Sequence, residues 1–379
     1  MSIINRFLPQ SIKRLRYSSR LEAEGPHFRT RKKLEDAEGL LSFVSPKPCS
    51  CSSENCGYTN PASLDLSVIV PVYNNLPYLD GCIESVFQQR NNFAVEVIAV
   101  DDGSTDGSGD RLDYLASKYP DELVVVHQEN KGFSGARNSG VQLARGLYLT
   151  FLDSDDYLPQ GSIASLMTPA FKYEADIVGG GYWKCSASGK KRAPHRLKAA
   201  TFSCESENIQ LSGLPCGSVY RREIWENVRF PEGYWFEDTI IPYLIFTQAQ
   251  SIVATSDLVY CYRANPKGIT ATSRNAKKAI DSYWIVAMLL DELEARGYSL
   301  DKRLYVQTLY QLGPLLYFRT QALAESERLL LFDACVSILR KYGGEANLPE
   351  NSSYVLREIE KSLVSADYNR WRLACLMLI

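Results

Sequence analysis

No run in the 379 residues approaches the roughly 20 apolar residues that cross a bilayer. The opening residues 1–20 lack the continuous apolar core of a secretory signal. The expectation is a cytoplasmic protein, with the inner face of the cell membrane as the one membrane station left open. A cationic excess is also missing: the formal net charge is -2, which argues against a dedicated nucleic-acid binder. Without an export signal the ten cysteines are expected to be mostly reduced. Cys49, Cys51 and Cys56 cluster as C-x-C-x4-C but have no clear fourth ligand nearby, a weak basis for zinc. There is no Walker loop, no dinucleotide fingerprint and no internal repeat.

What remains is an ordinary globular composition, 45% hydrophobic and 23% charged, long enough for two or three structural units. Residues 1–63 read as an arm and linker. Ile4, Leu8, Ile12 and Leu15 recur at near-helical spacing among Arg6, Lys13, Arg14, Arg16 and Arg20, a short basic amphipathic helix. Such a face suits an anionic membrane surface, its own domain or a partner subunit alike. Residues 45–61, rich in Ser, Pro, Asn and Cys, complete the linker. From about residue 275, Ile280, Trp284, Met288, Leu289 and Leu293, then Leu304, Leu309, Leu312, Leu315 and Leu316, predict a bundle of amphipathic helices over 271–379. That bundle covers the catalytic domain or mediates self-association.

Between them, residues 64–270 alternate strand and helix signals. The run LSVIVPV at 66–72 is apolar and β-branched, as in a parallel strand covered on both faces. Asn74 is expected to cap the helix that follows it. Residues 95–100 and 123–127 repeat the strand pattern, and 147–152 gives a fourth strand. The class is therefore α/β: a doubly wound, largely parallel sheet with an appended C-terminal helical region. Carboxylates gather at the carboxyl ends of these strands, in Asp101-Asp102 and in Asp153-Ser154-Asp155-Asp156, where open α/β sheets bind ligands. Hard oxygen ligands in that place suit magnesium or manganese carrying a phosphate; the plainer account is an acidic turn ending a strand. Asp102, Ser104, Asp106, Gly107 and Asp113 also match positions of a calcium loop, although a strand precedes them and Asp replaces the usual final Glu. Gly132, Ser134 and Gly135 at a helix start admit an anion to backbone N–H groups, with Arg137 as a charged fork; the alternative is an ordinary glycine-bearing turn.

A second acid pair, Glu237-Asp238, precedes an apolar stretch at 240–246 and is placed to cap a helix there. Tyr234, Trp235 and Phe236 beside it can stack on a sugar ring or belong to the core. Arg192, His195, Arg196 and Lys198 lie in a polar excursion between strands at 176–183 and 198–202, where they are expected to meet an anionic ligand, a lipid diphosphate or simply solvent.

In this order and at these separations, SVIVPVYN, VDDGSTD, NKGFSGARNSG and FLDSDD resemble glycosyltransferase family 2, with similarity from residue 64 to about 270. The resemblance implies a GT-A-like fold and an inverting transfer from a nucleotide sugar, expected to be UDP-linked, to a hydroxyl of a glycan, glycoprotein or lipid-linked acceptor. It implies that Pro71, Val72, Tyr73 and Asn74 line the nucleotide base, that Asp102 contacts uracil, and that Gly132, Arg137 and Ser154 line the nucleotide pocket. Asp153 and Asp155 then hold manganese or magnesium, and Asp238 acts as general base beside Glu237 and Trp235. YRANPKGIT at 262–270 is similar to a phosphate-closing loop, which carries Arg263, Lys267 and Thr270 over to the diphosphate, with Gly268 where Ser is common. Asp156 is an extra acid with no role carried over. The alternatives are a sugar-phosphate nucleotidyltransferase, whose G-x-G-x-R-like turn is missing here, and a non-catalytic nucleotide-sugar-binding scaffold.

Overall fold

The computed structural model describes residues 37–48, 58, 62–89, 92–204, 206, 209–265, 268, 276–344 and 348–377. The basic amphipathic reading at 1–20, the Cys49, Cys51 and Cys56 cluster, Lys267 and Thr270 all lie outside them. The chain packs as two compact units: one holds 49–233 and 237–266, the other 1–48, 234–236 and 267–379.

The first unit is a mixed sheet between helices. In chain order it contains β1 (Leu64–Val72), α1 (Leu76–Phe87), β2 (Val95–Asp101), α2 (Ser108–Lys118), β3 (Leu123–His127), α3 (Gly132–Leu143), β4 (Gly146–Phe151), α4 (Ser162–Lys172) and β5 (Ile177–Cys185). Then come β6 (Lys191–His195), β7 (Ala200–Phe202), β8 (Ser218–Arg221) and β9 (Ile252–Arg263). Strands pair in the order β3-β2-β1-β4-β8-β5-β9-β7, with β6 joined to β5. β1 to β4 are mutually parallel, and β8 runs antiparallel between β4 and β5.

The apolar runs become central strands because both faces are covered: Leu66, Val68, Ile69 and Val70 of β1 and Val97, Ile98, Ala99 and Val100 of β2 are fully buried. α3 approaches the sheet closely at Gly140, where an added Cβ would lie 2.5 Å from Ile69 Cγ2. Phe151, at the end of β4, packs edge-on against Trp225 and Phe230, with ring centroids 5.2 Å away in each case.

At the amino edge of the sheet a buried polar knot holds three strands. Ser67 donates to Glu96 at 2.6 Å, the Arg145 side chain reaches the other Glu96 oxygen at 2.8 Å, and the Gly146 N–H donates to Ser67 Oγ at 2.8 Å. Glu96 is 1% exposed, and with every oxygen engaged the buried charge is tolerated.

The second unit is helical. Its described helices include Ala37–Val44, Asp281–Ala295, Lys302–Tyr310, Glu325–Tyr342, Tyr354–Val364 and Tyr368–Leu376. Trp284 Nε1 donates to the Ser45 carbonyl at 3.0 Å, so residues 37–48 pack with the C-terminal helices. The apolar periodicity of 271–379 is accounted for by this core, in which Trp371, Phe332, Tyr283 and Leu312 are buried. No described helix is long and apolar enough to cross a membrane.

Candidate active site

The carboxyl ends of β1, β2 and β4 converge through three short loops. After β1, Tyr73 is half-exposed and Asn74 sits in the left-handed region at φ 51°. Asn74 does not cap α1: its Oδ1 accepts the Thr105 N–H at 2.8 Å, which ties the β1 loop to the β2 loop. The capping position belongs to Asn75, whose side-chain amide instead donates to Ser154 Oγ at 2.7 Å. One asparagine thus fastens the β1 loop to the second loop and its neighbour fastens it to the third. Pro71 and Val72 close the strand beneath them.

Asp102 is buried, and its Oδ1 accepts both Gln128 Nε2 at 2.7 Å and the Lys131 N–H at 2.8 Å. It thereby shapes the turn into α3, which begins at Gly132 with φ 74°. Asp106 accepts from the Leu76 N–H and from Ser108. The acids of the calcium-loop pattern are therefore committed to different partners. Among the described residues, no group of three or more His, Cys, Asp or Glu side chains is arranged to hold a metal ion.

Arg137, in the second turn of α3, is the centre of the site. Its side chain is 6% exposed and joins two acids from distant segments: Nη2 lies 2.8 Å from Asp153 Oδ1, and Nη1 pairs with the Glu237 carboxylate. The guanidinium carbon sits 5.3 Å from the Phe230 ring centre. Burial alone would lower the Arg137 pKa, but Asp153 and Glu237 outweigh it and hold the group charged. The sequence had suggested an open fork for phosphate; here two of its N–H groups already serve protein carboxylates. Burial pushes the Glu237 carboxyl up to about 7; Asp238 adds to the rise and Arg137 opposes it.

Glu237 and Asp238 lie in a tight turn, Glu237–Thr239, followed by a π-helical turn, Ile241–Ile245. The π-helical turn has no side-chain cap, in contrast to the helix cap expected from sequence, and Glu237 is drawn to Arg137. Asp238, half-buried, is one residue from that bridge. Trp235 packs in the helical unit, where its N–H donates to Asp281 at 2.9 Å and Lys278 lies over its ring.

The acid cluster Asp153, Asp155 and Asp156 is itself built into a network. Asp155 accepts from Asn265 Nδ2 at 2.7 Å, and burial together with the Asp153 charge raises its pKa. Asp156 is buried; its carboxylate takes the Tyr260 hydroxyl and the Arg263 N–H, each at 2.6 Å. The Asp153 N–H donates to that same tyrosine oxygen at 3.3 Å. Arg263 therefore reaches the motif by its backbone, while its guanidinium lies over the Tyr78 ring. Two neighbouring acids with hard oxygens, one destabilised in its charged form by the other, suit a divalent cation.

Sequence reasoning missed Asn75, Asn265 and Tyr260. Asn75 carried a local signal, as the polar residue directly before a helix.

Residues 67–229 match the family described as Glycosyl transferase family 2. The glycosyltransferase GlyG of Streptococcus pneumoniae serotype 4 is 30% identical over 231 residues, 57% of this chain and 76% of GlyG. The chain belongs to glycosyltransferase family 2. The uncharacterized glycosyltransferase EpsJ of Bacillus subtilis is 33% identical over 217 residues, 54% of this chain and 62% of EpsJ. The minor teichoic acid biosynthesis protein GgaB of B. subtilis is 30% identical over 55% of this chain and 24% of its own length. The match thus spans only part of some family 2 relatives. Residues 1–349 of S. aureus TarS, solved in complex with UDP-GlcNAc, share the fold: the TM-score is 0.62 at 19% identity, covering 83% of this chain and 91% of that one. The sheet with its central parallel strands and added helical region is accordingly GT-A-like.

Proposed function

We propose that the chain is a metal-dependent inverting glycosyltransferase that moves a sugar from a UDP-linked donor to a hydroxyl of a glycan or glycoconjugate. The observation that carries this reading is the Arg137 bridge, which brings Asp153 of the metal motif and the Glu237-Asp238 turn to one point. Tyr73, half-exposed in the loop after β1, offers a face to the nucleotide base. Asp153 and Asp155 would hold the cation, which when bound supplies charge neutralisation to the departing diphosphate. Asp238 takes the proton from the acceptor hydroxyl as its oxygen bonds to the anomeric carbon and the bond to UDP breaks. Glu237, pinned by Arg137, fixes where Asp238 stands.

TarS, whose fold this chain shares, has been solved with UDP-GlcNAc, which makes that compound the first donor to test. The experiment is release of UDP from a panel of sugar nucleotides, with manganese and with chelator. UDP from one sugar nucleotide, lost on chelation, is the expected result. Pyrophosphate from UTP and a sugar phosphate, with no UDP release from any donor, overturns it in favour of nucleotidyl transfer.

A further inference from the structure

From residue 177 to residue 204 the chain has no Asp or Glu, yet it carries Lys184, Lys190, Lys191, Arg192, Arg196 and Lys198. In a protein of net charge -2 this is a local concentration of one sign. All six side chains are exposed. None has a carboxylate within salt-bridge distance among the described residues. They decorate the hairpin of β5 and β6, whose outer strand pairs with β5 alone. Charge, Lys above all, and Pro194 on such an edge also discourage pairing with another chain, but that task does not call for six cations without one acid. Lys191 lies over the Trp183 ring, and no cation of the six has an acid partner among the described residues.

The hairpin is fastened to the metal motif. Tyr157, next to Asp156, donates its hydroxyl to the Gly189 carbonyl at the hairpin tip, at 2.9 Å. Tyr157 also pairs through its backbone with β9 at Cys261. The cations therefore form a track that starts beside the acid cluster. An extended strand rises about 3.3 Å per residue, so Lys190 to Arg196 spans about 20 Å.

We propose that this hairpin is the docking track for a linear polyanionic acceptor, a glycan chain bearing phosphodiester or carboxylate groups, and so steers its end toward the reacting centre. A membrane surface fits less well: interfacial elements insert large apolar side chains beside their cations, whereas Leu197 is buried and only Ala193 and Pro194 are presented by β6. The proposal rests on the transferase reading for its direction toward the site, but the binding itself does not.

The test uses the full chain and the variant Lys191→Gln/Arg192→Gln/Arg196→Gln, with a synthetic glycerol phosphate oligomer as probe and neutral dextran as control. The full chain is expected to bind the oligomer and not dextran, and the variant to bind about tenfold or more weakly. The slope of log affinity against log salt should also flatten by about two, since each lost phosphate contact removes about 0.7 to 0.9. Exposed positions leave the fold intact, so UDP release should be unchanged in the variant. Equal oligomer binding by the variant overturns the proposal. So does a full chain that ignores the oligomer but binds phosphatidylglycerol vesicles through these residues. Failure of the full chain to release UDP from any donor overturns the transferase reading and leaves the binding result to stand or fall alone.

Discussion

The guanidinium of Arg137 and the carboxylate of Glu237, a hundred residues apart, form a buried ion pair, and Asp153 completes it on the other side. Removing one partner of such a pair strands a charge in a dry place. Arg137→Met should cost about 3–5 kcal/mol of stability. Glu237→Gln, which retains an acceptor for Arg137, should cost distinctly less. Urea unfolding of both single variants and the double variant measures the coupling between them. Additive losses would mean that the pair does not act as a unit.

Asp238 directly follows Glu237 in the chain, and its charge acts on that pair. Asp238→Asn should lower turnover by about 100- to 10,000-fold. Donor affinity, measured by calorimetry, should be almost unchanged, because the proton it removes belongs to the acceptor. Full turnover in the variant would take Asp238 out of the mechanism.

The Asp156–Tyr260 contact joins the acid cluster after β4 to β9 below the surface. Tyr260→Phe deletes a hydroxyl that both donates to Asp156 and accepts from the Asp153 N–H. The buried groups left unsatisfied should cost about 1–3 kcal/mol. A melting temperature equal to that of the parent would show that water or a local shift repairs the gap.

His127 ends β3 between two acids, Asp101 Oδ2 at 2.9 Å and Asp113 Oδ1 at 3.0 Å. Hydrogen bonds that the imidazole donates to Asp101 and Asp113 raise its pKa above the ordinary 6.5. A group whose folded pKa is raised contributes fully below its unfolded value, and its contribution fades as pH climbs through the folded one. Relative to His127→Gln, the parent should therefore lose stability as pH rises from below 6.5 to mildly alkaline values. Because the side chain is about half exposed, the effect will be modest and weaker in salt. Parallel pH profiles of the denaturation midpoint would refute the link.

The strands and the acids at their ends were legible because each is a local pattern: an apolar run that stops in carboxylates reads the same before and after folding. The strand expected at 123–127 rested on its apolar run alone, and β3 occupies that position. Partner choice was not legible. Asn74 looked like a cap because caps are polar residues before helices, yet its amide was drawn across to Thr105 in a loop about thirty residues on. Glu237 likewise had a local use at a helix start and was taken by Arg137. Nothing in the neighbourhood of Asn265 says that it will reach Asp155. Such pairings depend on sheet order, with β8 and β5 inserted between β4 and β9, and sheet order is a property of the whole chain.

The Ser67, Glu96 and Arg145 knot sits at the opposite edge of the sheet from the acids. A slab clamped along one border by a buried knot and held along the other by exposed and part-buried loop-to-loop ties does not fluctuate evenly. Amide exchange should be slowest in Ser67 and Glu96 and quicken toward Val72 and Asp101. Stiffness is thus spent where no chemistry occurs, leaving the working border of the same strands supple enough to take a guest and release it.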